Sequence, residues 1–444
     1  MRLQTNLKRF RFAVFSLTLA IAFFLFALWM LQKENLSPKK NVSPNIARGA
    51  NTEALKDKLQ DPNRFATRPA PKPAQLRVFD DSFCEDIAQE MKSEKSKPAL
   101  KNKLEEHYKN AAKELELKLS QYRQYQFPQD QAAALYLKAQ LQANNARSNF
   151  FRQHPDCDSG KACEGQAVEA RNLAKRDGVN EVAKLAIYSP DPQLYAMAFH
   201  ACNSITDNQF GFCKQISASQ WAQRDPENAT AWLHTVTQLA QTSKGKTNTE
   251  MDTAMFRLSQ TNRFDLGLSS LSLFQRSEQM QSENIFVRQN LIMLGMDVFM
   301  GESLPAYQHI LSYCTNDALQ DSNRRQVCNG IANNLLSDQS NLVGETIALK
   351  LAERLAWPPE KIANLREELD AIHELQESVF DDLLPQQKTD HATQALQSCK
   401  WLVKNTNDLE NRLQYGEMRE IRSRMSKQKI SRAELAARYR ASKK

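Results

Sequence analysis

The sequence predicts an all-α protein in which stacked helical hairpins form an irregular superhelix behind a single N-terminal transmembrane helix. Three observations predict it. Glycine is scarce, at 12 of 444 residues, and the stretches between prolines are rich in Ala, Leu, Gln, Lys and Glu, which lose little side-chain freedom in a helix. The run from Phe12 to Leu31 is 20 residues without a charge, about the number that crosses a bilayer as a helix. From about residue 82 onward, apolar residues recur with the 3.6-residue period of amphipathic helices.

Arg2, Lys8, Arg9 and Arg11 precede the apolar run, and Trp29 sits where an interfacial aromatic belongs. A cleaved signal peptide has a shorter core and then a small-x-small site. Here the run ends in Met30-Leu31-Gln32-Lys33-Glu34, so residues 12–31 read as a retained signal anchor with residues 1–11 cytoplasmic. Residues 32–80 read as a tether, because Pro, Asn, Ser and Lys dominate them and only 54–59 suggest a short helical turn. Lys33, Lys39, Lys40 and Arg48 follow the span against four cations before it, so the positive-inside rule is close to a tie. The cysteines decide orientation. Cys84, Cys157, Cys163, Cys202, Cys213, Cys314, Cys328 and Cys399 are even in number, all lie beyond the span, and six form short-range couples. Such couples suit disulfide staples in an oxidising compartment. The expected location is a bacterial inner membrane, single-pass, with the bulk of the chain periplasmic.

The helical body is expected over residues 81–405. Leu104, Tyr108, Ala112, Leu115, Leu119 and Tyr122 fall on one helical face, Phe127-Pro128 stops that helix, and a second from Gln129 to Phe150 forms an antiparallel hairpin with it. Similar segments follow to about residue 403. They are punctuated by Ser189-Pro190-Asp191-Pro192, Asp225-Pro226, Gly301 and Trp357-Pro358-Pro359. Asp before Pro is a helix start: the carboxylate accepts backbone N–H bonds, and proline tolerates the first position because its missing donor is not needed there. Helices are therefore expected to begin at Asp191-Pro192 and at Asp225-Pro226, the latter presenting Ala229, Trp232, Leu233, Val236 and Leu239 on one face.

Charge divides the chain. Residues 1–75 hold 13 Lys and Arg against 4 acids, 76–409 hold 35 against 43, and 410–444 hold 11 against 4. An acidic body between two basic ends argues against nucleic acid as a partner. The tail, residues 406–444, carries Met418, Ile421 and Met425 on one side with Leu435 and Tyr439 further on. It reads as a solvated terminal helix, or alternatively as a helix drawn to an anionic surface such as lipid head groups, envelope polymers or an acidic partner.

Cys202 and Cys213 flank a turn containing Thr206-Asp207-Asn208 and Gly211, and Cys314 and Cys328 bracket residues 316–323. Each couple is expected to staple a helix junction, and Cys84 with Cys399 to join the ends of the body. Cys157 and Cys163 are expected to close the polar loop that starts at His154; the competing metal site of His154, Cys157 and Cys163 falls short of the four ligands and C-x-x-C spacing of structural zinc. The absence of C-x-x-C also weakens a thiol-redox role. His373-Glu374 begins like a zinc-protease helix but lacks the second histidine. His200, His234 and His309 read as core-edge or exposed residues. No G-x-S-x-G elbow occurs, and neither a catalytic residue, a metal nor a cofactor is assigned.

Ala240 to Thr247 has the form A-x-x-x-x-G-K-T, a near match to the phosphate-binding P-loop. That loop leaves a strand and enters a helix. Here a helical segment precedes it and Ala240 replaces the first glycine, so a polar inter-helix loop is expected, with Asn248 or Thr249 capping the next helix. The stretch from Asp225 to Leu233, DPENATAWL, resembles the junction between two tetratricopeptide repeats, and Asp191-Pro192-Gln193-Leu194-Tyr195-Ala196 lies 34 residues upstream, that family's period. The likeness covers roughly residues 190–260 and implies stacked hairpins and protein binding. The function expected is a non-enzymatic, membrane-anchored envelope scaffold that captures a protein or peptide on its helical surface. The alternative is a periplasmic envelope hydrolase using carboxylates in a helical groove. A third possibility, a cytoplasm-facing protein with reduced cysteines, depends wholly on topology.

Overall fold

Six of the described helices start on a side-chain acceptor: Asp191, Ser217, Asn248, Asp321, Asn341 and Ser431 each accept a backbone N–H of the first turn. The computed structural model describes residues 97–154, 157, 161–242, 248–275, 277, 280, 285–300, 305–336, 341–381, 417–427 and 430–443. The anchor from Phe12 to Leu31, the tether, Cys84 and Cys399 lie outside these residues. Among the described residues no helix is long and apolar enough to cross a membrane. They are all-α, without strands, apart from one isolated parallel bridge between Asn228 and Arg263.

α1 (Lys97–Ser120) buries Ala111, Leu115 and Leu119, four residues apart on one face. Pro128 occupies the first position of α2 (Pro128–Gln153), which is buried on almost every side between Gln129 and Ala143. Its many alanines let neighbours approach closely, and α1, α3 (Lys161–Ile187), α4 (Pro192–Asn203), α8 (Ser269–Gln275) and α9 (Ile285–Met300) all pack on it. α2 and α3 run antiparallel: Arg147 pairs with Glu164 near their connection, while Ala139 meets Gly178 farther along. A Cβ at position 178 would lie 2.8 Å from the Ala139 Cβ. Gly178→Ala is therefore expected to lower stability by about 1 kcal/mol in urea titration, the close contact outweighing alanine's better helix propensity.

Asp191 caps α4 as its sequence predicts, its Oδ1 accepting from the Gln193 and Leu194 N–H groups at 2.8 and 3.4 Å. Every residue of α4 from Leu194 to Cys202 is buried. α5 (Ala218–Arg224), α6 (Ala229–Thr242) and α7 (Thr249–Ser259) follow, with Ser217 capping α5 and Asn248 capping α7. α4 and α6 begin at Pro192 and Ala229, so the two helix starts are not one 34-residue period apart.

Consecutive hairpin stacking is then interrupted. α8 and α9 turn back to α2 and α1, because α9, IFVRQNLIMLGMDVFM, is apolar around most of its circumference. Val287, Leu291, Leu294 and Val298 complete the first apolar cluster, and Asn144 Nδ2 donates to Asp297 at 2.6 Å. The second cluster joins α6 and α7 to α10 (Gln308–Tyr313), α11 (Ser322–Leu335) and α12 (Leu342–Arg354). α12 ends in a Schellman turn, with Trp357 N–H donating to the Ala352 carbonyl and Ala356 N–H to that of Glu353. Ala356 holds φ 54° there, a position suited to glycine. Ala356→Gly is expected to raise stability by about 1 kcal/mol, read as a higher urea midpoint.

Pro359 opens α13 (Pro359–Asp381), on which α14 (Glu417–Lys427) and α15 (Arg432–Ser442) pack. The two described helices of the basic tail are thus docked rather than solvated. Ile372, Leu375, Met418 and Ile421 form one small apolar contact; Ala371, Leu435 and Ala436 form another. Arg422 binds the buried Glu345 at 2.6 Å and Glu368 at 2.8 Å, Arg432 binds Glu367 at 3.1 Å, and Arg440 binds Asp370 at 3.4 Å.

Candidate functional site

The turn between α5 and α6 lies where both large apolar clusters meet. It also corrects the sequence expectation, since α6 begins at Ala229 and not at Asp225-Pro226. The cause is tertiary. The buried Asp225 carboxylate is taken by Arg263 and by Asn228 Nδ2, the latter at 2.9 Å, leaving Asn228 Oδ1 to accept from the Thr230 N–H at 3.1 Å. Asn228 is fully buried and makes two more bonds, accepting from the Asp265 N–H at 3.0 Å and donating to the Asp265 carbonyl at 2.8 Å. Arg263 also reaches Asp265 at 3.3 Å. Burial raises the Asp265 carboxyl, opposed by the Gly267 N–H and by Arg263. Trp232 Nε1 donates to the Pro226 carbonyl at 2.9 Å, closing the clasp.

Behind the clasp four rings pack together: Phe199 and His200 from α4, Trp221 from α5 and His234 from α6. Ring centroids of the two histidines are 5.7 Å apart, and His234 lies 4.9 Å from Phe199 and 5.8 Å from Trp221. His200 and His234 are 2% and 4% exposed, so neither is the core-edge residue the sequence suggests. His200 Nε2 lies 2.8 Å from the Leu266 carbonyl, which can only accept, so that nitrogen carries hydrogen. Burial lowers the His200 imidazole to about 4 and the His234 imidazole to about 3, the latter lowered further by His200. His309 of α10 is half-buried.

Lys175 of α3 is a buried cation that no sequence pattern marks. Its Nζ donates to the Ser204 carbonyl at 2.6 Å and to Ser204 Oγ at 3.0 Å, and burial, with Arg171 nearby, lowers it to about 8. A lysine beside a serine is the geometry of a base and its nucleophile. Here, however, Ser204 Oγ donates its own hydrogen to the Ala201 carbonyl at 2.7 Å, so the pair caps the C-terminus of α4.

The expected disulfides Cys157–Cys163, Cys202–Cys213 and Cys314–Cys328 are formed, each at a junction between helices. The first engages both thiols that a metal site with His154 would need; His154 itself is exposed and packs on Phe150. His373 stacks on Tyr439 in the contact between α13 and α15. Ala240 to Thr242 end α6, with Ala240 buried, and Asn248 Oδ1 accepts from the Met251 N–H at 2.8 Å; residues 243–247 lie outside the described residues. Among the described residues no three His, Cys, Asp or Glu side chains are placed to hold a metal.

No protein-family model, curated protein or solved structure matches the chain. The tetratricopeptide likeness therefore rests on its own residues. A hollow of about 280 Å³ at the start of α13 is lined by two carboxylates, Glu360 and Glu368. Glu368 is held by Arg422 and Arg432. A second, of about 340 Å³, is lined by Ile187, Gln215, Gln220, Gln223 and Arg224. Arg224 spends its donors on the carbonyls of Ala186, Ile187 and Ser189, at the end of α3.

Proposed function

We propose that the chain is a membrane-anchored binding or scaffold protein of the bacterial envelope, held to the inner membrane by residues 12–31 and displaying its helical body in the periplasm. The observation that carries this reading is the placement of the three disulfides at three helix junctions, α2 to α3, α4 to α5 and α10 to α11. Staples of this kind belong to an oxidising compartment and hold hairpins in register for display. The tetratricopeptide-like stretch at 190–260 favours a protein or peptide partner captured on a helical surface. Exposed apolar side chains, Leu173 of α3, Tyr188 just beyond it and Phe256 of α7, supply sites for such contact.

The hydrolase alternative needs carboxylates that are free to act. Buried Asp225, Glu345 and Glu420 instead pair with Arg263, Arg422 and Arg424, which favours the scaffold. An anionic surface would likewise compete with the carboxylates that hold Arg422, Arg424, Arg432, Arg438 and Arg440. The test is photocrosslinking in intact cells from a benzophenone amino acid placed at 173, 188 or 256. A partner adduct reproduced from a subset of these positions supports the scaffold; no adduct from any of them contradicts it.

A further inference from the structure

We propose that the acidic stripe of α13 is a docking face for a basic amphipathic helix of a partner protein, and that α15 occupies it as an internal stand-in. The chemistry of the face is the first ground. Glu367, Asp370, Ala371 and Glu374 stand at i, i+3, i+4 and i+7 on α13, so they share one stripe. α15 lies on that stripe with a cation towards each end: Arg432 Nε is 3.1 Å from Glu367, and Arg440 Nε is 3.4 Å from Asp370. Between them Leu435 and Ala436 meet Ala371, and the Tyr439 ring stacks on His373 with centroids 5.3 Å apart.

The second ground is how lightly α15 is held. Of its 11 residues only Leu435 and Ala436 are buried, and with Ala371 they make an apolar cluster separate from the two that build the body. The side chains of Arg432 and Arg440 are 42% and 56% exposed, so water competes for both ion pairs and each contributes little. α14 is held more firmly, because Arg422 reaches the buried Glu345 while Met418 and Ile421 pack on Ile372 and Leu375. α15 is thus the part of the tail that lifts first, with α14 keeping the chain in place. What α15 presents defines what replaces it: a helix with two Arg or Lys eight residues apart, and Leu and an aromatic ring between them. An incoming helix competes with one tied to α14 through residues 428–431, whose effective concentration is on the order of 1 mM. The stand-in therefore excludes weak basic helices and yields to a tighter one. The proposal rests on the scaffold reading in taking a protein as partner, but its test is read on α13 and is separate from crosslinking at 173, 188 and 256.

The test is fluorescence anisotropy of a labelled peptide of residues 428–444, QKISRAELAARYRASKK, added to the full chain in nonionic detergent micelles. Arg432→Glu with Leu435→Asp in the full chain frees the face, and the peptide is expected to bind this variant at least about 10-fold more tightly than the wild type. Adding Glu367→Lys and Asp370→Lys should abolish that binding, and raising salt from about 0.05 M to about 0.5 M should weaken it about 10-fold. Should Leu435→Asp cost the variant its fold, Arg432→Glu with Arg440→Glu, which removes only exposed ion pairs, is read in the same way. No binding to the opened variant overturns the proposal, as does binding that survives reversal of the α13 carboxylates or that a peptide of scrambled order matches. Self-association of the wild type that Glu367→Lys abolishes would make a second copy the occupant, and refutes the partner helix.

Discussion

Asn228→Ala is expected to lower stability by about 3–5 kcal/mol. Asn228 is fully buried and joins four partners: the Asp225 carboxylate, the Asp265 N–H, the Asp265 carbonyl and the Thr230 N–H. Alanine would leave these groups buried without their partner, and each unsatisfied group costs about 1–3 kcal/mol. The exposed neighbour Asn262 is the control, since Asn262→Ala should change stability by under about 0.5 kcal/mol. Urea titration followed by circular dichroism reads both. Because Arg263 holds the same Asp225, Arg263→Met combined with Asn228→Ala should cost less than the two separate effects. Full additivity would show that the clasp is not one network.

The second large effect concerns the staples. Replacing Cys314 and Cys328 together by alanine is expected to lower stability by about 3 kcal/mol, chiefly by restoring freedom to the unfolded chain. Both cysteines are fully buried in the second apolar cluster, and Arg354 donates to the carbonyls of Leu311 and Cys314, so the junction is packed around the bond. The Cys157, Cys163 pair closes a shorter loop and is partly exposed, so its removal should cost less. Urea midpoints in that order support the stapled-junction account; a larger loss at Cys157–Cys163 would contradict it.

What was legible in the sequence was local. Asp191-Pro192 caps α4 because every group involved lies within three residues, and the three short cysteine couples pair across the junctions they flank. The same Asp-Pro signal fails at Asp225 because Arg263, 38 residues on, claims the carboxylate, and no local pattern announces that partner. The tail misled for a similar reason: its arginines look solvated in isolation, yet Glu345, 77 residues before Arg422, receives one of them. The return of α9 to α1 and the meeting of His200 with His234 are also long-range events. One hint was present, since LYAMAFHAC places His200 inside an almost unbroken apolar run, a setting where a histidine is enclosed rather than displayed. The anchor, the tether and the Cys84 and Cys399 pair are sequence expectations outside the described residues.

The measurement that tests the central claim most directly is differential thiol alkylation of the protein in its native membranes, followed by mass-spectrometric disulfide mapping. A helical body stapled in an oxidising compartment predicts that Cys157–Cys163, Cys202–Cys213 and Cys314–Cys328 peptides are recovered linked and resist alkylation until reduced. Recovery of these six cysteines as free, alkylated thiols would contradict both the compartment and the stapled display surface.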